Sequence, residues 1–316
     1  KREEEEKRER KKRKEKREER RKKRRKNAEE EENRDNGVRQ LADMVSGAYQ
    51  NGQYDDGVEF LQGFIRDSEN DDDVVDGDIA YAKYRLINSF FSKRMQDAKQ
   101  DELEEVQDQF MEKLIQFVRA HPRAEQSADA MLQVGLNDEF SGKIDEAEDW
   151  YTRIADTFPG SAAARKARGA NIRLNSEGRK VPLRGQTIDG NSFDLSSLEG
   201  KVVLIQYWAT WCEPCKNDLR QIKEAYDRYR RRGFTVVGVS LDRTPDDLRG
   251  YLRENNLPWT HLYAEGELDS PLAEQLGVSL VPTMILVDED GKVVDRNVAA
   301  ADLDRALNRQ YKDDDD

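Results

Sequence analysis

Cysteine is nearly absent from this chain of 316 residues, which holds two, Cys212 and Cys215. Histidine is as rare, with only His121 and His261. A zinc site needs four ligands; there is no second cysteine pair, and neither histidine stands at ligand spacing to the first. Long apolar runs are missing too. The longest, around Val202 to Ala209, reads as a buried strand and falls well short of the roughly 18 to 20 residues a membrane-spanning helix needs. A signal peptide and an initiator methionine are also missing. The chain begins at Lys1, which points to a trimmed N-terminus, so the missing signal carries no information about targeting.

Charge is abundant. Charged residues make up 38 % of the chain against 36 % for the apolar set, so part of it is expected to lie outside any core. Lys1 to Lys26 is unbroken charge, with 18 Lys/Arg against 8 Glu, a net of +10. The whole chain carries −12, so the remainder carries −22. Residues 1–36 are of low complexity and are compatible with a solvated single helix or with disorder. Such an arm could contact an anionic membrane surface or serve only as a solvated spacer. No nucleic-acid partner is expected, because no aromatic or glycine interleaves the basic residues.

Residues 37–175 read as all-helical. Ala147, Trp150, Tyr151 and Ile154 recur at helical spacing before the stop at Phe158-Pro159-Gly160. Met131, Val134, Gly135, Ala147, Tyr151 and Pro159 fall at the spacings of a tetratricopeptide repeat, which the segment resembles, with Asp138 departing at the aromatic position. Gly135 and Ala147 are small enough to let two antiparallel helices approach closely. Weaker echoes occur upstream. Gly52, Gly57, Leu61 and Phe64 match Gly142, Ala147, Tyr151 and Ile154; Ala98, Leu114, Phe117 and Pro122 match Gly135, Tyr151, Ile154 and Pro159. Three degenerate helix pairs are expected, with the acidic stretch Asp67 to Asp78 inserted. Their use is open between a groove for a peptide or protein partner and a packing or oligomerisation module.

Beyond a polar link at 176–180 the period changes. A hairpin turns at Asp189-Gly190. Val202 to Trp208 and Phe234 to Leu241 read as buried strands, and Leu219 to Tyr229 as an amphipathic helix. Thr244 caps a helix with Pro245 at its first position and Asp247 three residues after the cap. A short strand at Trp259 to Tyr263, a short helix at Leu272 to Leu276, a strand pair around Asp288 to Gly291 and a helix at Ala301 to Tyr311 complete the pattern. Alternating strands and helices imply a partly parallel sheet covered on both faces. The tail at 312–316 resembles part of an affinity epitope and is set aside.

The two cysteines are spaced C-x-x-C directly after a strand. At a helix start, the unpaired N–H groups and the positive end of the dipole favour a thiolate, which is the nucleophile. Cys212 is expected to be the exposed attacker and Cys215 the buried resolver. A structural disulfide would more often close a longer loop.

Val202 to Ile205, Trp208-Ala209-Thr210-Trp211-Cys212-Glu213-Pro214-Cys215, Val237 to Asp242, Val281-Pro282-Thr283 and Asp288 to Lys292 resemble a thioredoxin-like domain. Within that fold they most resemble the TlpA/ResA-type thiol-disulfide oxidoreductases, over residues 181–311. The expected fold class is therefore a thioredoxin-like α/β C-terminal domain, an all-α helical-repeat domain before it and a charged N-terminal arm. The resemblance implies a cis proline at Pro282 against the disulfide, and a backbone at Val281 to Thr283 that pairs with an extended substrate. Thioredoxin has a buried aspartate six residues before the first cysteine; here that position is Gln206, which cannot titrate. Members of the TlpA/ResA type often carry glutamate three residues after the second cysteine; here it is Asp218. Asp218 and Glu213 are expected to raise the pKa of Cys212 against the helix dipole. An Asp218→Asn variant is then expected to form its thiolate at lower pH than wild type; an unchanged thiol titration would contradict this.

The resemblance further implies a disulfide-bearing protein as substrate, a partner dithiol as electron donor and no dissolved cofactor, the couple being the disulfide itself. Pro214, as in reducing members, suggests a reductant, and Trp211 flanks the attacker. A bacterial envelope or periplasmic location follows from the same resemblance, with anchoring through the trimmed N-terminus. The rivals are an isomerase or oxidant of the same fold, a peroxide-reducing redoxin, and a binding scaffold whose redox domain is vestigial.

Overall fold

The structure, a computed structural model, describes residues 37–69 and 76–312. The expectations for the basic arm, for the middle of the acidic stretch and for the last four aspartates lie outside those residues. By packing the chain divides into two compact units, one ending at Ala130 and the other beginning at Met131. The expected helical region thus does not stay whole. Its last two helices group with the α/β domain, and the link at 176–180 lies inside the second unit.

The first unit is helical. It contains α1 (residues 37–50), α2 (Gly57–Ser68), α3 (Asp76–Asp97), α4 (Leu103–Ala120) and the start of α5 (Gln126–Phe140). Each presents apolar residues three or four apart: Leu61 and Ile65 on α2, and Met111, Leu114 and Val118 on α4, are all buried. The acidic insertion is shorter than expected, because α2 runs through Asp67 to Ser68 and Asp76 to Asp78 open α3. There Asp78 is buried and accepts a 2.9 Å bond from Arg39 Nε. The echo at Ala98, Leu114, Phe117 and Pro122 misses only at Ala98, which lies past the end of α3 whereas Gly135 sits inside α5; Leu114 and Phe117 are buried like Tyr151 and Ile154, and Pro122 and Pro159 both stand two residues past a helix end. The other echo holds at the turn, where Gly52 and Gly142 both have positive φ, 66° and 76°.

The second unit contains the end of α5, α6 (Ile144–Thr157), α7 (Ala162–Leu174) and the α/β domain. A Cβ on Gly135 would stand 2.8 Å from the Tyr151 ring, so α5 and α6 do meet as closely as their small residues predict. Tyr151 donates to Glu139 Oε2 at 2.8 Å, and Glu139 receives the Arg173 guanidinium of α7 at 2.7 and 3.1 Å. Both ends of that ion pair are nearly buried, and Arg173 Nε also donates to the Leu276 carbonyl at 3.0 Å.

The α/β domain begins with the hairpin β1 (Arg184–Gln186) and β2 (Ser192–Asp194). β3 (Val203–Trp208), α8 (Glu213–Tyr229), β4 (Thr235–Ser240), α9 (Pro245–Asn255), β5 (Thr260–Tyr263), α10 (Pro271–Glu274), β6 (Thr283–Val287), β7 (Val293–Asp295) and α11 (Leu303–Lys312) follow. Lys312, set aside with the tail, is the last residue of α11. The capping box at Thr244 and Asp247 is formed as its spacing predicts. The strands make one mixed sheet in the order β5-β4-β3-β6-β7, with β3, β4 and β5 parallel and β6 and β7 antiparallel to their neighbours. Alternation along β3 sends Leu204 and Trp208 to the face covered by Leu219 and Ile222 of α8 and Leu303 and Leu307 of α11. Val203, Ile205 and Tyr207 face Leu183, Leu272 and Leu276 on the other side.

Candidate active site

The parallel strands β3 and β4 end at the same rim of the sheet, the position where open α/β sheets form crevices for ligands. The chain leaving β3 at Trp208 turns through Ala209 and Thr210 and reaches Cys212, which caps α8. Its Sγ accepts from the Cys215 N–H at 3.2 Å, and the two cysteines form a disulfide. The order of exposure is as expected, but the amount is corrected. Cys215 is fully buried, and Cys212, expected exposed, is only 4 % exposed in this oxidised form. Trp211, at 54 % exposure, is the side chain that the rim presents to solvent.

Asp242 holds the turn in place. This fully buried carboxylate accepts from the Thr210 N–H at 2.8 Å and the Thr210 hydroxyl at 2.7 Å through Oδ1, and from the Ser240 hydroxyl at 2.8 Å through Oδ2. It thereby ties the end of β4 to the turn that carries Cys212. In the sequence Asp242 is only part of a motif; its partner Thr210 lies 32 residues away, and no local pattern reveals that contact.

Gln206 lies on the same face of β3 as Leu204 and Trp208, toward the cysteines. It is fully buried, and among the described residues neither its side-chain oxygen nor its nitrogen has a partner. The two α8 carboxylates expected to tune Cys212 fare differently. Glu213, expected to act on Cys212, is exposed and pairs with Lys216 at 2.5 Å, so its charge is largely offset and screened. Asp218 sits in the second turn and is half-buried, and burial raises its pKa.

The Val281–Pro282 peptide is cis. Thr283 opens β6 opposite Tyr207, which places Pro282 at the end of β3 from which the Cys212 turn departs. Val281 packs against the apolar cluster that contains both cysteines. Its own N–H and C=O make no hydrogen bond among the described residues. Thr283 Oγ1 donates to the Leu280 carbonyl at 2.9 Å and shapes the bend before the strand. The three residues expected to bind substrate are therefore contiguous with the sheet and at the disulfide's end of it.

Behind the turn, the Trp208 ring lies 6.0 Å from that of His261, a buried histidine on β5. Burial holds its pKa down at about 4 from an ordinary 6.5. Between those values an unfolded chain takes up a proton that the folded His261 refuses. Stability from this group is therefore present above pH 6.5 and is lost as pH falls toward 4, by roughly 3 kcal/mol in all. Urea midpoints at pH 7 and pH 4.5 are expected to differ less for His261→Phe than for wild type. Equal differences would show that other groups carry the acid sensitivity.

A cavity of about 470 Å³ opens beyond Pro282. Leu280, Pro282 and Thr283 line it together with Leu136, Phe140 and Ile144, from α5 and the start of α6. Nothing in the sequence links those two sets, which stand about 140 residues apart along the chain.

A thioredoxin-like family model (Thioredoxin_8) matches residues 200–293. The thiol-disulfide oxidoreductase ResA of Bacillus anthracis is 28 % identical over 109 residues, 34 % of this chain and 61 % of that protein. ResA of Oceanobacillus iheyensis is 30 % identical over 122 residues, 38 % of this chain and 61 % of that protein. The chain thus spans about 61 % of the length of the ResA proteins it matches. Human nucleoredoxin is 33 % identical over 111 residues, 34 % of this chain and 25 % of that protein. Among solved structures, the thioredoxin domain of a thiol-disulfide oxidoreductase from Bacteroides vulgatus is 27 % identical, with a TM-score of 0.38, covering 40 % of this chain and 91 % of that one.

Proposed function

We propose, from a C-terminal domain that is thioredoxin-like and of the TlpA/ResA type, that the protein reduces disulfides in partner proteins through Cys212 and Cys215. The observation that carries this reading is the Cys212–Cys215 disulfide capping α8 beside the Val281–Pro282 edge. In the reduced state, the start of α8 favours the Cys212 thiolate. That thiolate attacks one sulfur of a substrate disulfide, and the other sulfur leaves as a thiolate. The Cys215 thiolate then attacks Cys212 Sγ, closes the disulfide seen here and releases the second substrate thiol. Two electrons pass to the substrate, and a partner dithiol restores the pair. No dissolved cofactor enters this cycle.

Val281 supplies the main-chain edge on which an extended substrate segment pairs, as in strand addition at an open sheet edge. Asp218, half-buried on α8, opposes the dipole and keeps the Cys212 thiol from ionising too readily. The direction, reduction, is supported by Pro214 through the family resemblance. A bacterial envelope or periplasmic setting has the same support; no helix among the described residues is long and apolar enough to cross a membrane. A second reading, a scaffold, has one specific observation behind it: the turns of two helix pairs, at Gly52 in the first unit and at Gly142 in the second, share a positive φ. In that reading those helices hold a protein partner.

Insulin reduction separates the two. The reduced protein is expected to precipitate insulin B chain, and alkylation of Cys212 is expected to stop it. A protein that leaves insulin intact while still retaining a partner after alkylation is a scaffold.

A further inference from the structure

We infer that the cavity beyond Pro282 is the pocket that gives the reductase its choice of substrate, and that it takes an apolar, non-basic residue beside the substrate cysteine. The inference rests on the redox reading above and specifies which protein segments that site accepts. Three observations carry it.

The first is continuity. Leu280, Pro282 and Thr283 line the cavity, and Val281, between them, carries the N–H and C=O without partners. A segment laid along that edge as an added strand sends alternate side chains to opposite faces. One of those faces opens into the cavity. The occupant is therefore extended main chain belonging to the molecule whose disulfide is being reduced.

The second is the character of the lining from α5 and α6. Phe140 is 59 % exposed and Leu280 38 %, and both line the cavity with half-buried Leu136 and Ile144. Apolar side chains gathered around a concave site, rather than scattered singly, mark a recognition surface. The end of α5 is also tied down. Glu139, one residue before Phe140, is clamped by Arg173 and Tyr151, and Arg173 is itself tied to Leu276.

The third is charge. The Glu139–Arg173 pair is internally neutral, while Arg296 at the cavity donates to the Leu174 carbonyl and has no carboxylate at ion-pair distance among the described residues. The pocket thus carries one uncompensated positive charge, and a lysine or arginine in the segment meets repulsion as well as desolvation.

The test uses three synthetic peptides that differ at one position beside a single cysteine: leucine, serine or lysine. Each carries its cysteine as a mixed disulfide with 5-thio-2-nitrobenzoate, so attack by reduced Cys212 releases the chromophore and leaves the peptide on the enzyme. Rate constants are expected in the order leucine, serine, lysine, with leucine ahead of serine by about 10-fold, the effect of seating one apolar side chain. Phe140→Ser and Ile144→Ser are expected to bring the leucine-to-serine ratio within about 2-fold. Ile172→Ser, an exposed site on α7 outside the cavity, is expected to keep it. The ratio is internal to each variant, so a loss of folded protein does not mimic the effect. A wild type without preference, or a Phe140→Ser variant that keeps it, overturns the inference and leaves the redox reading standing. A reduced protein that releases no chromophore from any peptide, nor from the plain aromatic disulfide, overturns the redox reading and this inference with it.

Discussion

Cys212→Ser is expected to abolish insulin reduction, a loss on the order of 10³-fold or more. A serine hydroxyl at the start of α8 does not ionise near neutral pH, so the helix dipole has no anion to favour, and Cys215 is buried beneath the turn. Cys215→Ser gives the complementary result. Its Cys212 still attacks, releases one equivalent of leaving thiol, and then stops as a stable mixed disulfide, because no second thiol resolves it. The pair of variants separates roles that a single loss of activity would merge. Both variants inactive at the first step would mean that Cys212 is not the attacker. A Cys212→Ser protein with substantial activity would remove the mechanism.

Gly169→Ala is expected to destabilise the second unit by more than about 4 kcal/mol, although helix propensity alone favours alanine over glycine by about 1 kcal/mol. Packing decides the sign. A Cβ at Gly169 on α7 would stand 2.1 Å from the Glu274 carbonyl oxygen and 2.4 Å from the Gly277 nitrogen. The contact is reciprocal, since a Cβ on Gly277 would lie 2.1 Å from the Ala170 nitrogen, and Gly277 has a φ of +57° besides. These are backbone atoms of α7 and of the turn after α10, so no rotamer change makes room; the two segments must separate. Around them lie the Arg165–Glu274 bridge and the Arg173–Leu276 bond, which would part with them. Urea unfolding of Gly169→Ala is expected to show a lower midpoint, with limited proteolysis cutting first between α7 and β1. A midpoint equal to or above that of wild type would show that α7 does not rest on the α/β domain as described.

Local features were legible in the sequence and long-range ones were not. The Thr244-Pro245-Asp247 cap, the turn at Asp189-Gly190 and the all-buried β3 each rest on a few neighbouring residues whose chemistry is fixed by position. The Cys212–Cys215 pair and Pro282 were legible because a short motif carries them. The exposure of Cys212 was misjudged because nucleophile position on a helix start says little about how far the flanking turn covers it. Glu213 was overvalued because Lys216, three residues on, claims its charge. The role of Asp242 was not legible from its motif, since its bonds to Thr210 reach from the end of β4 to the turn after β3. The division at Ala130/Met131 was hidden for the same reason. Helices α5 to α7 carry a repeat-like pattern, but the partners of α7 are chosen by Gly169 and Arg173 against residues a hundred or more positions later.

The central claim is that Cys212 and Cys215 act as one reducing couple. Its most direct test is the equilibrium reduction potential of the pair, measured in defined dithiol and glutathione buffers at pH 7. A single two-electron transition at or below about −240 mV is the expected result, with about 30 mV corresponding to about 1.4 kcal/mol. A value between about −180 and −120 mV would contradict the account and make the protein an isomerase or an oxidant.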